Sequence, residues 1–259
     1  MPDYLDTLAR DAKETVAAGY YEVSTQLAVP SVSLRKAIVE SKRNAIITEV
    51  KAASPSRGTI KTGFDPVEVA RAMEKGGATG ISVLTEPKHF NGSLSYIAEV
   101  REAVKLPILM KDIITHPIQL EAASRIGANV VLLIEALFER GYCEGSLDTM
   151  ITQAHLRHLD VLLETHSEDE FCSAIETDAD LIGINNRDLR TLKVDLTITE
   201  KILKNNEINN KVIISESGVM NPADLLFLRR CGAQAFLIGS SIMMADNIET
   251  KVKEFVTAH

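Results

Sequence analysis

From residue 46 onward the chain alternates short β-branched apolar runs with helix-period segments, and the runs number eight. They are Ile46–Lys51, Gly80–Thr85, Pro107–Lys111, Val130–Ile134, Val161–Glu164, Leu181–Asn185, Val212–Glu216 and Ala235–Ile238. Each is continuously apolar and ends on polar residues, the pattern of a parallel strand buried on both faces. Between them, Asp65-Pro66 and Asn221-Pro222-Ala223-Asp224 place proline in a first helical turn, and Ser167-Glu168-Asp169-Glu170 has the spacing of a capping box. Gly76-Gly77, Gly127 and Gly232 fall where helices should stop. Strands alternating with helices imply a parallel sheet, and eight such units favour a closed (β/α)8 TIM barrel over an open, doubly wound sheet.

At 259 residues the length suits one such barrel, which typically takes about 250, so residues 1–259 are expected to form a single domain. Residues 1–45 hold two apolar-periodic stretches, around Leu5–Val16 and Leu34–Ser41, split at Val29-Pro30. They predict an N-terminal helical extension that packs on the barrel and caps one end. Apolar runs such as Val130–Ile134 are strand-length, far short of the roughly 18 residues that span a bilayer. Asp3, Asp6, Arg10 and Asp11 do not make a signal peptide, and Cys143, Cys172 and Cys231 form neither a disulfide framework nor a CxxC pair. A cytoplasmic protein with no membrane association is expected. The formal net charge of −8 and the absence of a basic stripe argue against a nucleic-acid surface. An acidic chain that binds an anion must build its positive potential locally.

Active sites of such barrels lie at the C-terminal ends of the strands. Those ends carry Glu49 and Lys51, then Lys111 followed by Asp112, then Glu164, then Asn185 with Arg187 beyond, then Glu216. Glu49 and Lys51 are two apart and share one face of their strand. Charges inside a barrel are costly unless paired, so Glu49, Lys51, Lys111, Glu164 and Glu216 are expected to converge on a solvated mouth. Lysines and glutamates so placed suit proton transfer with tuned pKa values. The alternative is a structural ion-pair network that closes the barrel, and five charges at functional-end positions of four strands weigh against it. Ser217-Gly218 and Gly239-Ser240 occupy the loops after the seventh and eighth strands, where these barrels bind phosphate through backbone N–H groups. Ser-Gly is also common turn chemistry, so each pair alone says little.

Other features carry less. His155 and His158 lack a third ligand and read as a surface pair, not a metal site. His116, before Pro117, should cap a helix, and His166 follows Glu164 closely enough to orient it or merely to line the loop. The cysteines do not sit at strand ends, and no GxGxxG follows a strand, which argues against a thiol nucleophile and a dinucleotide.

Six segments together resemble the indole-3-glycerol phosphate synthase family. They are Ile46–Gly58 (IITEVKAASPSRG), Ser82–Ser93 (SVLTEPKHFNGS), Pro107–Asp112 (PILMKD), Ile182–Leu189 (IGINNRDL), Ile214–Val219 (ISESGV) and Phe236–Met243 (FLIGSSIM). The resemblance implies ring closure of 1-(2-carboxyphenylamino)-1-deoxyribulose 5-phosphate, with loss of carbon dioxide and water, in tryptophan biosynthesis. It implies Lys111 as a general acid and Lys51 as a second acid or a partner for the substrate carboxylate. Glu49 and Glu164 would be acid/base and charge-stabilising groups, with Asn185 and Glu216 on the sugar chain. Ser54, Arg187, Ser217, Gly218, Gly239 and Ser240 would surround the phosphate and its approach, and Phe90 and Leu132 the anthranilate ring. No metal or organic cofactor is implied, and other enzymes of the tryptophan pathway are the candidate protein partners. Two positions depart from the family pattern. Ile113 stands where phenylalanine usually follows the Lys-Asp pair, and Met244 where an arginine is often found. A sister barrel such as phosphoribosylanthranilate isomerase would want a Cys or Asp base near the first strand, where Glu49-Val50-Lys51 stands. A non-catalytic phosphate-metabolite-binding regulator would be expected to lose Lys111 or Glu164, and both are present.

Overall fold

The computed structural model describes residues 3–28, 30–54, 58–59, 63–208 and 210–259. Val29, Pro55, Ser56 and the side chain of Ser54 lie outside the described residues. Eight parallel strands close on themselves in sequence order: β1 (Ala45–Val50), β2 (Gly80–Leu84), β3 (Ile108–Lys111), β4 (Val130–Ile134), β5 (Asp160–Thr165), β6 (Leu181–Asn185), β7 (Val212–Glu216) and β8 (Ala235–Ile238). The ring is sealed where Ile46 pairs with Phe236 and Ile47 with Gly80. A two-residue antiparallel ladder, Ala53–Ser54 with Gly58–Thr59, follows β1 at the barrel mouth.

The helices in chain order are α1 (Tyr4–Ala17), α2 (Leu34–Val39), α3 (Pro66–Lys75), α4 (Leu94–Ala103), α5 (Pro117–Ile126), α6 (Glu135–Glu139), α7 (Leu147–His155), α8 (Glu168–Ile175), α9 (Thr197–Asn205), α10 (Pro222–Cys231), α11 (Ser240–Met243) and α12 (Ile248–Val256). Their starts follow local chemistry. Asp65 and Asn221 accept from the first free N–H groups of α3 and α10, each ahead of a proline in the first turn. His116 caps α5 through Nδ1, which accepts from Ile118 N–H at 3.0 Å. No described helix is long and apolar enough to cross a membrane.

Strand alternation divides the core in two. Ile46, Val50, Ile81, Val83, Met110, Val131, Leu163 and Ile182 point outward and bury the helices. Ala45, Ile47, Leu109, Val130, Leu132, Leu162, Leu181, Ile214 and Leu237 point inward and fill the barrel.

The N-terminal segment closes both ends, where the sequence predicts a cap on one. Tyr4 and Leu8 of α1 face the cavity at the mouth. Arg140 Nη1 holds α1 there through Asp3 Oδ1 and Asp6 Oδ1, at 2.8 and 2.7 Å. The chain then passes down the outside, where Tyr21 donates to Asp112 Oδ1 at 2.9 Å. At the opposite end Leu34 is fully buried among the inward residues at the strand starts, and Ser33 donates to Asp160 Oδ2 at 2.8 Å. Apolar periodicity predicts both helices, but which barrel end each covers depends on contacts far away in sequence.

Candidate active site

Inward-facing positions recur every second residue along a strand, and the charged residues simply continue the inward series of the core. On β1 the series Ala45, Ile47 runs on to Glu49 and Lys51, and on β3 Leu109 is followed by Lys111. On β5 Leu162 is followed by Glu164, on β6 Leu181 and Gly183 by Asn185, and on β7 Val212 and Ile214 by Glu216. The upper layer of the barrel is thus charged, and it floors a cavity of about 250 Å³.

Lys111 stands at the centre of this layer. Its Nζ lies 2.9 Å from Glu164 Oε2 and 3.5 Å from Glu216 Oε2. Beside it Lys51 Nζ pairs with Glu49 Oε1 at 2.7 Å. Burial works against the Lys111 ammonium, but the carboxylates of Glu164, Glu216 and Glu49 outweigh it and raise its pKa above the ordinary lysine value. The two glutamates are pushed apart. Burial would raise Glu164, yet Lys111 and the His166 imidazole hold it well below the usual range. Burial raises Glu216 to about 8, with Lys111 only partly opposing and Glu164 adding to the shift. At neutral pH the site therefore holds an ammonium, a carboxylate and a mostly neutral carboxylic acid within contact of one another. That is equipment for general acid–base chemistry.

Gly183 makes room for this arrangement. A Cβ there would lie 2.3 Å from Glu216 Oε1 and 3.3 Å from Leu162 Cδ1. Gly239 does the same beneath the other pair, since a Cβ would meet Glu49 Oε1 at 2.6 Å.

On one side of the cavity lie the loops after β7 and β8. Ser217 and Gly218 both take positive φ, 64° and 96°, and a Cβ on Gly218 would strike Val194 Cγ1 at 2.5 Å. Ser240 opens α11, whose first N–H groups have no acceptor within the helix. Ser241 ties the two loops together by donating to Val219 O at 2.9 Å. Arg187 joins this side from the loop after β6, its Nη1 donating to Leu192 O at 2.9 Å. Backbone N–H groups, serine hydroxyls and a guanidinium of cavity-lining residues form a surface suited to an anion.

The opposite wall is apolar, built from Leu8, Phe90, Ile113, Leu132, Ile134 and Leu189. Phe90 is set by Glu86, whose buried carboxylate accepts from the N–H groups of Lys88, His89 and Phe90 at 2.9, 2.6 and 3.1 Å. His89 in turn pairs with Asp11 of α1 at 2.8 Å.

Every site residue predicted from sequence lines this one cavity, except Ser54, whose side chain is not described. Ile113, at the departure from the family pattern, belongs to the apolar wall. Met244 is 45% exposed and does not line the cavity. His155 pairs with Asp180 at 2.9 Å on the surface. Sequence reasoning missed Tyr4, Leu8, Glu86 and Gly183. Only Gly183 left a usable signal: it falls on an inward position of β6, opposite Glu164 in the pairing of β5 with β6.

The fold and this charged, anion-ready mouth define a class, the phosphate-binding (β/α)8-barrel enzymes. Two solved structures share the fold. Thiamine phosphate pyrophosphorylase from Pyrococcus furiosus aligns with a TM-score of 0.62 at 16% identity, covering 86% of this chain and 96% of that one. An N-acetylmannosamine-6-phosphate 2-epimerase from Clostridium perfringens aligns with a TM-score of 0.60 at 15% identity, covering 83% and 93%. Sequence comparison is more specific. The family description "Indole-3-glycerol phosphate synthase" matches residues 5–255. Relatives bearing that name include one from Methanocaldococcus jannaschii, 45% identical over 86% of this chain and 82% of its own. Another, from Neisseria gonorrhoeae, is 38% identical over 97% and 98%. The chain belongs to the indole-3-glycerol phosphate synthase family.

Proposed function

We propose that the mouth performs the reaction of this family with Lys111 as the first proton donor. The chain is then a carboxy-lyase of tryptophan biosynthesis that closes the indole ring of 1-(2-carboxyphenylamino)-1-deoxyribulose 5-phosphate. The observation that carries this reading is Lys111 itself, an ammonium pinned between Glu164 and Glu216 on the cavity floor. An apolar wall flanks it on one side and an anion-ready rim on the other.

As the aryl carbon attacks the ketone, negative charge develops on the ketone oxygen, and the Lys111 ammonium supplies the proton that quenches it. The aryl–carboxylate bond breaks, carbon dioxide leaves, and the bonding pair restores the aromatic ring. Loss of the new hydroxyl as water then needs a second acid, Lys51, and a base to take a proton from the adjacent ring carbon, Glu49. Glu164 fixes Lys111, while Asn185 and Glu216 hold the hydroxylated chain. Ser217, Gly218, Gly239, Ser240 and Arg187 receive the phosphate, with Ser54 on its approach. Phe90 and Leu132 sandwich the anthranilate ring. Residues 1–259 work as one cytoplasmic catalytic unit, with other enzymes of the pathway as its natural partners.

The chain contains no tryptophan, so an indole product appears as new, red-shifted emission over tyrosine alone. Single-turnover mixing with the carboxyphenylamino-deoxyribulose phosphate should give that emission. Lys111→Ala should lower its rate by roughly 10²–10⁴ while substrate still binds, the usual range for a lost general acid. A folded wild-type protein that generates no indole emission removes the reading.

A further inference from the structure

His166 and Glu170 stand outside the cavity lining, and nothing in the chemistry above uses them. Yet both are largely buried, with side chains 11% and 12% exposed. The His166 ring lies between two carboxylates: Nε2 is 3.1 Å from Glu164 Oε1, and Nδ1 is 3.3 Å from Glu170 Oε2. The Nε2 contact is an ion pair at close range without hydrogen-bond alignment. Glu170 is itself fixed. Its Oε2 accepts from the His166 backbone N–H at 2.7 Å, and its own N–H is capped by Ser167 Oγ at 3.1 Å. The remaining oxygen of Glu164, Oε2, is the one that meets Lys111. Charges thus alternate from the start of α8 to the central lysine, through Glu170, His166, Glu164 and Lys111.

We propose that His166, clamped by Glu170, is a positioning residue that keeps Glu164 a carboxylate with Oε2 turned onto Lys111. The inference rests on Lys111 being the proton donor. Its physical basis is a broken symmetry. Glu164 from β5 and Glu216 from β7 both contact Lys111, and two buried carboxyls so close cannot both ionise freely. Whichever takes the proton weakens its hold on the ammonium. A cation on the Glu164 side alone settles the matter: Glu164 stays charged and the proton goes to Glu216. The shifts agree, with Glu164 well below its ordinary value, Glu216 at about 8 and His166 at about 9. Burial disfavours the His166 cation, and Glu164 and Glu170 together outweigh it. Glu49 bears on Lys111 and Glu216 from β1, and Glu170 on Glu135 of α6.

A space-filling histidine would be replaced by glutamine at little cost, whereas a charge clamp would not. The test compares the full-length wild type, His166→Gln, Glu170→Gln, and His166→Gln combined with Glu164→Gln, following single-turnover rate and KM from pH 3.5 to 9. His166→Gln should move the acidic limb of the rate profile up by about one unit or more, the shift expected on losing an adjacent opposite charge. KM should change far less than the rate. Glu170→Gln weakens only the hold on the imidazolium, so it should leave the acidic limb near that of wild type and lower the pH at which the His166 ring loses its proton, read by NMR. In the Glu164→Gln background the His166 change should have little further effect. An unmoved acidic limb in His166→Gln, or an equal loss in the Glu164→Gln background, overturns the proposal. If His166→Gln does not fold, Glu170→Gln decides: a His166 ring that titrates as in wild type, followed by NMR, overturns the clamp. A wild type that makes no indole product sinks the underlying reading instead, and this inference with it.

Discussion

Gly183→Ala adds one methyl group at the floor of the site, and the structure sets its consequences. The new carbon would sit 2.3 Å from Glu216 Oε1, about 1 Å inside an ordinary contact distance. The carboxyl must retreat by about that amount, because the strand backbone beneath Gly183 is locked on both sides, to Glu164 in β5 and Ile214 in β7. Overpacking of this kind costs about 1–3 kcal/mol. Replacing a strand glycine by alanine returns about 0.5–1 kcal/mol through the unfolded chain, so the net loss should be at most about 2.5 kcal/mol and centred on about 1 kcal/mol. The catalytic loss should be larger in relative terms, since a misplacement of about 1 Å can cost about 10²-fold in rate. Chemical denaturation followed by circular dichroism gives the first number, and single-turnover indole emission the second. The decisive comparison is the same change made in a Glu216→Ala background, where the methyl has no carboxyl to strike. There Gly183→Ala should be neutral or slightly stabilising. An equal cost in both backgrounds, or wild-type turnover in the single variant, would show that the Glu216 carboxyl does not occupy the space above Gly183.

Tyr21→Phe removes one of three donors to the buried Asp112 carboxyl, leaving Thr85 Oγ1 and the Ile113 N–H. Thermal unfolding should show a loss of about 1–3 kcal/mol; an unchanged Tm would mean that water replaces the phenol freely. Ile113→Phe enlarges the apolar wall and should alter KM for the aromatic substrate with little change in the chemical step; a variant that no longer folds would show the position to be packed core. A pH prediction concerns His166, whose folded pKa of about 9 exceeds the ordinary 6.5. A raised folded pKa stabilises fully below pH 6.5, and that contribution fades as pH climbs through 9. The shift corresponds to at most about 3 kcal/mol. Wild type should therefore lose more stability than His166→Gln between pH 6.5 and 9, and parallel stability curves would show the imidazole to be uncharged.

Much of the site was legible because a barrel turns sequence parity into position. Each strand is short, apolar and bounded by polar residues, so its end can be located to within about one residue. From there, counting by twos puts Glu49, Lys51, Lys111, Glu164, Asn185 and Glu216 on the inner surface. Lys51 shows how tolerant this is, for it lies one residue past β1 yet still faces its partner Glu49. What stayed hidden was fixed by distant contacts. Glu86 looks like any loop acid until its carboxylate folds back on three consecutive N–H groups. Tyr4 and Leu8 reach the cavity because side chains distant in sequence hold α1 over the mouth, Arg140, 137 residues from Asp3, and His89 among them. The capping box foreseen at Ser167 is half formed: Ser167 caps Glu170, but the Glu170 carboxylate reaches the N–H of His166. One residue of offset there turns a helix cap into a contact with the active site.

The charge balance of the mouth bears on selectivity. With three carboxylates and two lysines all ionised, the floor would carry a net negative charge and repel the phosphorylated, carboxylated substrate proposed for it. Burial of Glu216 removes one of those charges at neutral pH, which leaves Glu49 and Glu164 matched by Lys51 and Lys111. A neutral, internally paired floor attracts stray anions weakly, in keeping with a chain of net charge −8. On the proposed reading, an incoming substrate has to compete with Glu49 for Lys51 and also find the N–H groups at Ser217–Gly218 and Gly239–Ser240. A single inorganic phosphate cannot meet both demands at once. A molecule with a carboxylate at one end and a phosphate at the other would meet both, and on that reading the distance between the β1 end and the β7–β8 loops is the ruler by which it is chosen.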